Sequence, residues 1–292
     1  MSQSPLAIAR TALSVGQKAL PDYASKYSPK RYTQAQLFAC LALMQFLKTD
    51  YRGLVQFLRD WTELRQAVEL RRIPHYSTLC YAHQRLMRPA QFETLLHSVW
   101  DQAGQLGWKL EQPTGLVDAT GLEARHVSRH YVWRAGYRRF ARRRWPKLTL
   151  VGDAQSHLIG GAVITWGPSQ DSPEFPAVLR QSARQVQWNR IIADAAYDAE
   201  HNHRLCREEL RIRSTVIPLN QRRSRRWPKE PYRRQMKRRF FRRVYHQRWQ
   251  IESLISRMKR RLGSALRSRL WRTQQQECRL RVLTHNVMLL AA

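Results

Sequence analysis

The hydrophobic pattern changes its period once, at the stretch EQPTG from Glu111 to Gly115, and this change limits the possible folds more than any other feature. Before it, apolar residues recur every three to four positions. TQAQLFACLALMQFL, residues 33–47, is apolar nearly all the way round a helix, which predicts a buried helix, and LVQFLRDWTELRQAV continues the period. In IPHYSTLCYAHQRL, Pro74 interrupts, Ser77 or Thr78 can cap, and Leu79, His83 and Leu86 share one helical face. Residues 1–110 are therefore expected to be all-α. After the break, TGLVDAT reads as a short strand carrying Asp118, and KLTLVGD, GGAVITW, RIIAD and STVIPL read as further strands. PAVLRQSARQ and AEHNHRLCREEL lie between them with helical character, and a long helical stretch from about Tyr232 closes the chain. Strands alternating with helices predict an α/β domain with a mixed sheet over residues 111–292.

The formal net charge of +31 would repel itself in a compact state unless a polyanion or its ions neutralised it, so nucleic acid is the expected partner. The longest apolar run, LFACLALM, is far shorter than the roughly 18 residues a membrane span needs. MSQSPLAIAR lacks the pattern of a secretory leader, which places the chain in the cytoplasm as an expectation. Cys40, Cys80, Cys206 and Cys278 form no CxxC pair and are expected to be free thiols. His201, His203 and Cys206 crowd into HNHRLC, but ligands two residues apart diverge on a helix, so a solvated surface is expected there. The segment around IPHYSTL resembles the second helix of a helix-turn-helix, a DNA-contacting element.

Two apolar strands are read as ending on an acid, Asp118 in GLVDAT and Asp194 in RIIADAAYD, and such strand ends open into the crevice of an α/β sheet. A third acid, Glu252, is almost alone in its surroundings: residues 221–272 hold 20 Lys or Arg and two acids, Glu230 and Glu252. At about 100° per residue, Tyr245, Arg248, Glu252 and Lys259 fall within a stripe roughly 60° wide. Val244, Ile251, Ile255, Met258 and Leu262 form an apolar face beside it, while Arg257, Arg260 and Arg261 point towards solvent or phosphate. A surface ion pair between Glu252 and Arg248 accounts for those two residues but not for the stripe. Three converging carboxylates in a cationic protein suit a hard-oxygen metal site, and two Mg²⁺ ions at such a site serve phosphoryl displacement on nucleic acid.

The spacing Tyr245-x2-Arg248-x3-Glu252-x6-Lys259 resembles, gap for gap, the signature of DDE transposases of the IS4/IS5 insertion-sequence group. DAAYD around Asp194 and LVDATGL around Asp118 resemble the second-acid and first-acid regions of that group. The resemblance implies an RNase H-like catalytic domain at 111–292, preceded by a helical DNA-binding domain at 1–110. It further implies Asp118, Asp194 and Glu252 as catalytic, metal-binding triad, with two Mg²⁺ ions that Mn²⁺ can replace. Tyr245, Arg248 and Lys259 would support the site, with Arg248 and Lys259 near the DNA, and Arg257 and Arg260 would add phosphate contacts. The implied reaction is cleavage at terminal inverted repeats and strand transfer into target DNA, by a homodimer at the bacterial nucleoid. The group usually has Gly before the Tyr of the second motif, where this chain has Ala196. The short interval from Asp194 to Glu252 implies the compact form, without a large β-rich insertion.

Two other readings remain open: a DNA-binding descendant whose chemistry has lapsed, and another RNase H-like nuclease such as a resolvase. Beyond the acids, GYRRFARRRWPK, with Arg138 and Arg139 at its centre, interleaves bases with aromatics as a DNA-stacking loop would. RRSRRWPKEPYRRQMKRRFFRR reads as an electrostatic track for the phosphate backbone.

Overall fold

Thr33 starts the most buried early helix: its hydroxyl accepts from the Gln36 amide while the Gln36 side chain accepts from the Thr33 amide, a reciprocal cap. In the computed structural model, which describes residues 1–108, 111–124, 144–220 and 227–292, this helix and its neighbours form one of two compact units. The helical unit comprises Met1–Lys109, Met258–Gly263 and Ser268–Ala292. Its helices are α1 (Pro5–Ala19), α2 (Gln34–Phe46), α3 (Tyr51–Asp60), α4 (Thr62–Ala67), α5 (Tyr76–Leu86) and α6 (Pro89–Gln105). The all-round apolar text of α2 has its expected consequence, since Leu37 to Met44 are all buried. Gly16 lets α1 approach α2 closely: a Cβ there would lie 2.8 Å from the Ala35 Cα. On α5, Leu79, His83 and Leu86 are buried together. Its cap differs from expectation, for the His75 ring, not Ser77 or Thr78, accepts the Ser77 amide.

The sheet unit comprises Leu110–Arg257 and Ser264–Arg267. Its main strands are β1 (Thr114–Gly121), β3 (Trp145–Asp153), β4 (Ile159–Gly167), β5 (Arg190–Ala193) and β6 (Ser214–Val216), in the order β4-β3-β1-β5-β6. β3 runs antiparallel to both β4 and β1, whereas β5 runs parallel to both β1 and β6, so the sheet is mixed as its sequence predicts. β2 (Glu123–Ala124) pairs separately with β7 (Ala265–Leu266). Helix α7 (Phe175–Ala183) packs on β4 at Gly161, where a Cβ would lie 2.8 Å from the Val178 carbonyl oxygen and 2.9 Å from the Ser182 Cβ. Because backbone opposes it, Gly161→Val is expected to lower stability by about 1–3 kcal/mol, read as a fall in the urea midpoint at unchanged m.

One expectation about the C-terminal half needs correction. The helical stretch from Tyr232 is broken into α9 (Pro231–Arg238), α10 (Arg242–Tyr245), a 3₁₀ turn (His246–Arg248) and α11 (Trp249–Leu262). α11 stops at Gly263, whose φ of +96° ends the helix without the strain an L side chain would meet. The final helix α12 (Trp271–Leu290) groups with the helical unit. It packs there against α1, α2 and α6, and nearly every residue from Gln276 to Leu290 is buried. A helix buried on all sides carries no amphipathic stripe to show which partner covers it. Cys40, Cys206 and Cys278 are buried and Cys80 half-buried, all as free thiols. Among the described residues no helix is long and apolar enough to cross a membrane.

Candidate functional site

β1 and β5 are neighbouring parallel strands whose register pairs Val117 with Ala193. Asp118 and Asp194 are the next residue on each, so they leave the paired region side by side. Asp118 is not the end of its strand, as expected from sequence: β1 continues to Gly121 along β3, and only its parallel pairing ends there. One Asp118 oxygen accepts the Ala119 amide at 2.9 Å. Desolvation raises its pKa to about 6; the Ala119 amide and Arg248 oppose that rise, and the negative charges of Asp194 and Glu252 add to it. Asp194 caps the 3₁₀ turn Ala195–Tyr197, its carboxylate accepting the Ala196 amide at 2.8 Å. Ala196 is not among the residues with positive φ, so the backbone there accepts its methyl group without requiring Gly.

Glu252 reaches this neighbourhood from α11. Ile251, Leu254, Ile255 and Met258 are buried, and Leu254, which the sequence reading left out of the apolar face, packs on the sheet at Gly152. A Cβ on Gly152 would lie 2.6 Å from the Leu254 Cδ1, so the missing side chain lets the helix sit close to β3. Gln250 adds a hydrogen bond of 2.9 Å to the His157 ring. Arg248, half-buried, sits between two acids: one guanidinium nitrogen pairs with Glu252 and the other lies 3.8 Å from the Asp118 carboxylate. Tyr245 completes the group. Burial raises its pKa, with Asp194 and Glu252 contributing and Arg248 opposing, so it shares the field of all three.

The candidate donors expected from the sequence, Asp118, Asp194 and Glu252, are carboxylates, the ligand type a hard divalent cation prefers. Among the described residues no group of three or more His, Cys, Asp or Glu forms a ready metal cage. Mg²⁺ does not require one, because it retains several waters and takes only one or two carboxylates from the protein. Asp118 and Asp194, each following directly on the paired Val117 and Ala193, are the two carboxylates such a site would use.

The remaining predicted residues divide. Lys259 is half-buried and Arg260 exposed on the part of α11 that belongs to the helical unit, while Arg257 is half-buried within the sheet unit. Arg138 and Arg139 lie outside the described residues. So does Gln221 to Arg226 of the basic track. Lys147, the last base of GYRRFARRRWPK, is buried in β3 and bonds Glu174 at 3.0 Å, Asp171 at 3.1 Å and two backbone carbonyls. It is structural, while the part of that cluster up to Arg143 lies outside the described residues. His203 is also unlike its expected solvated surface: it is fully buried, with Nδ1 2.7 Å from the Thr215 hydroxyl.

Sequence reasoning missed Tyr197 and Asp198. The Tyr197 ring is buried against Phe175, and its hydroxyl has no hydrogen-bond partner among the described residues. Burial pushes its pKa up, and the charges of Asp171, Asp118, Asp194 and Glu174 push it further. Asp198 is wholly enclosed and holds Arg233 in a two-point ion pair. The acid was visible in DAAYD, but nothing local marks a partner 35 positions later.

A family model described as "Transposase DDE domain" matches residues 109–287, more than half of the chain. Among solved structures, the chain is similar to a cryo-EM structure of the piggyBac transposase synaptic complex with hairpin DNA. The identity is 9%, the TM-score 0.46, and the match covers 99% of this chain and 75% of the other.

Proposed function

Since the chain belongs to the transposase DDE domain family, we propose that it cuts DNA at the terminal inverted repeats of a mobile element and joins the freed 3′ end to target DNA. The observation that carries this reading is the parallel register that sets Asp118 beside Asp194, with Glu252 tied to Asp118 through Arg248. The strand order, three antiparallel strands continued by two parallel ones, supports an RNase H-like catalytic core. The interval from Asp194 to Glu252 holds one strand, β6, among its described residues, which supports the compact form of the IS4/IS5 group.

In this reading Asp118 and Asp194 hold Mg²⁺ together with Glu252. A divalent ion held by these residues would supply activation of the attacking oxygen and stabilisation of the leaving one, with Mn²⁺ able to replace Mg²⁺. The protein's own part is to position. β1 and β5 hold two carboxylates at one register, and α11 brings the third on a helix fixed by its apolar face. Arg248 and Tyr245 keep Glu252 oriented, while Arg257, Lys259 and Arg260 offer charge to backbone phosphates. α5 is the proposed DNA-contacting helix of the N-terminal domain, and a homodimer joins two element ends.

The test is incubation of the full chain with duplexes carrying the inverted repeats that flank its gene. Strand scission with Mg²⁺ or Mn²⁺, and none with a chelator, is the expected result. Binding without scission under any divalent ion would favour the lapsed descendant, and preference for branched DNA over repeat ends would favour a resolvase.

A further inference from the structure

Helix α9 should not hold its place by itself. It is eight residues long, PYRRQMKR, with four basic side chains, no acid and one buried apolar residue, Met236. Helices this short are marginal in water, and so much like charge weakens this one further. Its inner face explains how it is held. Arg233 grips Asp198 at both ends of the carboxylate, Nε to Oδ1 at 2.8 Å and Nη2 to Oδ2 at 3.0 Å. The Asp198 side chain is 0% exposed, and Oδ2 also accepts the Asn220 amide at 2.9 Å.

Two further contacts complete the dock. The Glu200 carboxylate, at the start of α8 (Glu200–Arg204), accepts the Tyr232 amide at 3.2 Å and the Arg233 amide at 3.0 Å. These are first-turn donors of α9 that no helical carbonyl can satisfy. The Tyr232 ring stacks on the His203 ring with centroids 6.2 Å apart, and the Arg207 guanidinium lies 5.4 Å from the Tyr232 centroid. The motif DAAYDAEHNHR thus supplies the seat for α9, which gives His203 a use that metal binding does not.

With Tyr232, Arg233 and Met236 turned inward, helical spacing turns Arg234, Lys237 and Arg238 outward, and all three are exposed. Asp194 lies four residues before Asp198, across the 3₁₀ turn Ala195–Tyr197. We propose that Asp198 is a positioning residue that docks α9 on the segment carrying Asp194, so that Arg234, Lys237 and Arg238 grip the phosphate backbone of duplex DNA at a fixed offset from that acid. The proposal rests on the DNA reading above but not on cleavage. A bidentate Arg–carboxylate pair supplies the required directionality, which a single-point lysine contact would not.

The test compares four forms of the full chain by anisotropy on a labelled non-specific duplex over a range of salt: wild type, Asp198→Asn, the triple Arg234→Ala/Lys237→Ala/Arg238→Ala, and their combination. Each phosphate contact contributes about 0.9 to the slope of log K against log salt, so the triple variant should lose about 2 to 3 from that slope. Asp198→Asn should lose most of the same amount, and the combination no more than the triple alone, because Asp198 acts only through α9. Arg233→Met should reproduce Asp198→Asn. Hydrogen exchange gives a second readout: in Asp198→Asn the amides of α9 lose protection while those of β1 and β5 keep theirs. An unchanged salt slope, additive losses in the combination, or joint loss of protection in α9 and the central strands would each overturn the proposal. Scission is not measured, so failure of the cleavage reading leaves these outcomes decisive.

Discussion

Glu252→Gln is expected to reduce divalent-ion-dependent scission by about three orders of magnitude or more while leaving the melting temperature nearly unchanged. The rate change corresponds to about 4 kcal/mol of lost transition-state stabilisation, the scale of an interaction made through a metal ion. The stability change should be small because Glu252 is 57% exposed, and its pair with Arg248 is a surface pair worth about 1 kcal/mol or less. Asp118→Asn should be as inactive, without a fall in melting temperature, since the amide avoids the desolvation penalty carried by the half-buried carboxylate. Retained scission in Glu252→Gln would remove it from the triad. Inactivity accompanied by a large fall in stability would instead assign these acids to the fold.

The largest expected effect on stability lies far along the chain. Arg281 is almost wholly buried, donating to the Gly263 carbonyl at 2.7 Å and to the Glu277 carboxylate at 2.8 Å, and the other Glu277 oxygen accepts the Ser268 amide at 2.9 Å. All four residues belong to the helical unit, and together they fix the turn that follows α11. Glu277→Ala should cost about 3–5 kcal/mol, because it leaves a buried guanidinium without its counter-charge. At about 2–4 °C per kcal/mol, calorimetry should show a fall on the order of ten degrees. Replacing both members, Glu277→Leu with Arg281→Met, should recover much of this loss, since the charge that needed a partner is gone. If the double variant melts no higher than Glu277→Ala, the ion pair is not the origin of the stability.

How much of this was legible in the sequence depends on the range of each interaction. Periodicity located α2 and all five main strands, and the buried face of α5 followed from Leu79, His83 and Leu86, because these patterns repeat within a few residues. The spacing from Tyr245 to Lys259 singled out Glu252 as a candidate, although that stretch proved to be two helices, α10 and α11, joined through a 3₁₀ turn. Lys147 shows the same limit: a charge in an Arg-rich run looks solvated until Asp171 and Glu174, more than twenty residues away, are seen to enclose it.

By itself, then, the sequence determined the helical character of the N-terminal part, the order of the five main strands along the chain, the basic character that calls for a polyanion, and the candidate acids. Those properties reside in local hydrophobic period and in composition. Only the tertiary structure decided that Asp118 and Asp194 each follow directly on a paired residue of neighbouring strands, that α12 joins the helical unit, and that Asp198 holds Arg233. Each of these depends on partners distant in sequence, selected by burial and charge compensation once the chain has closed on itself. The short-range code has no term for them.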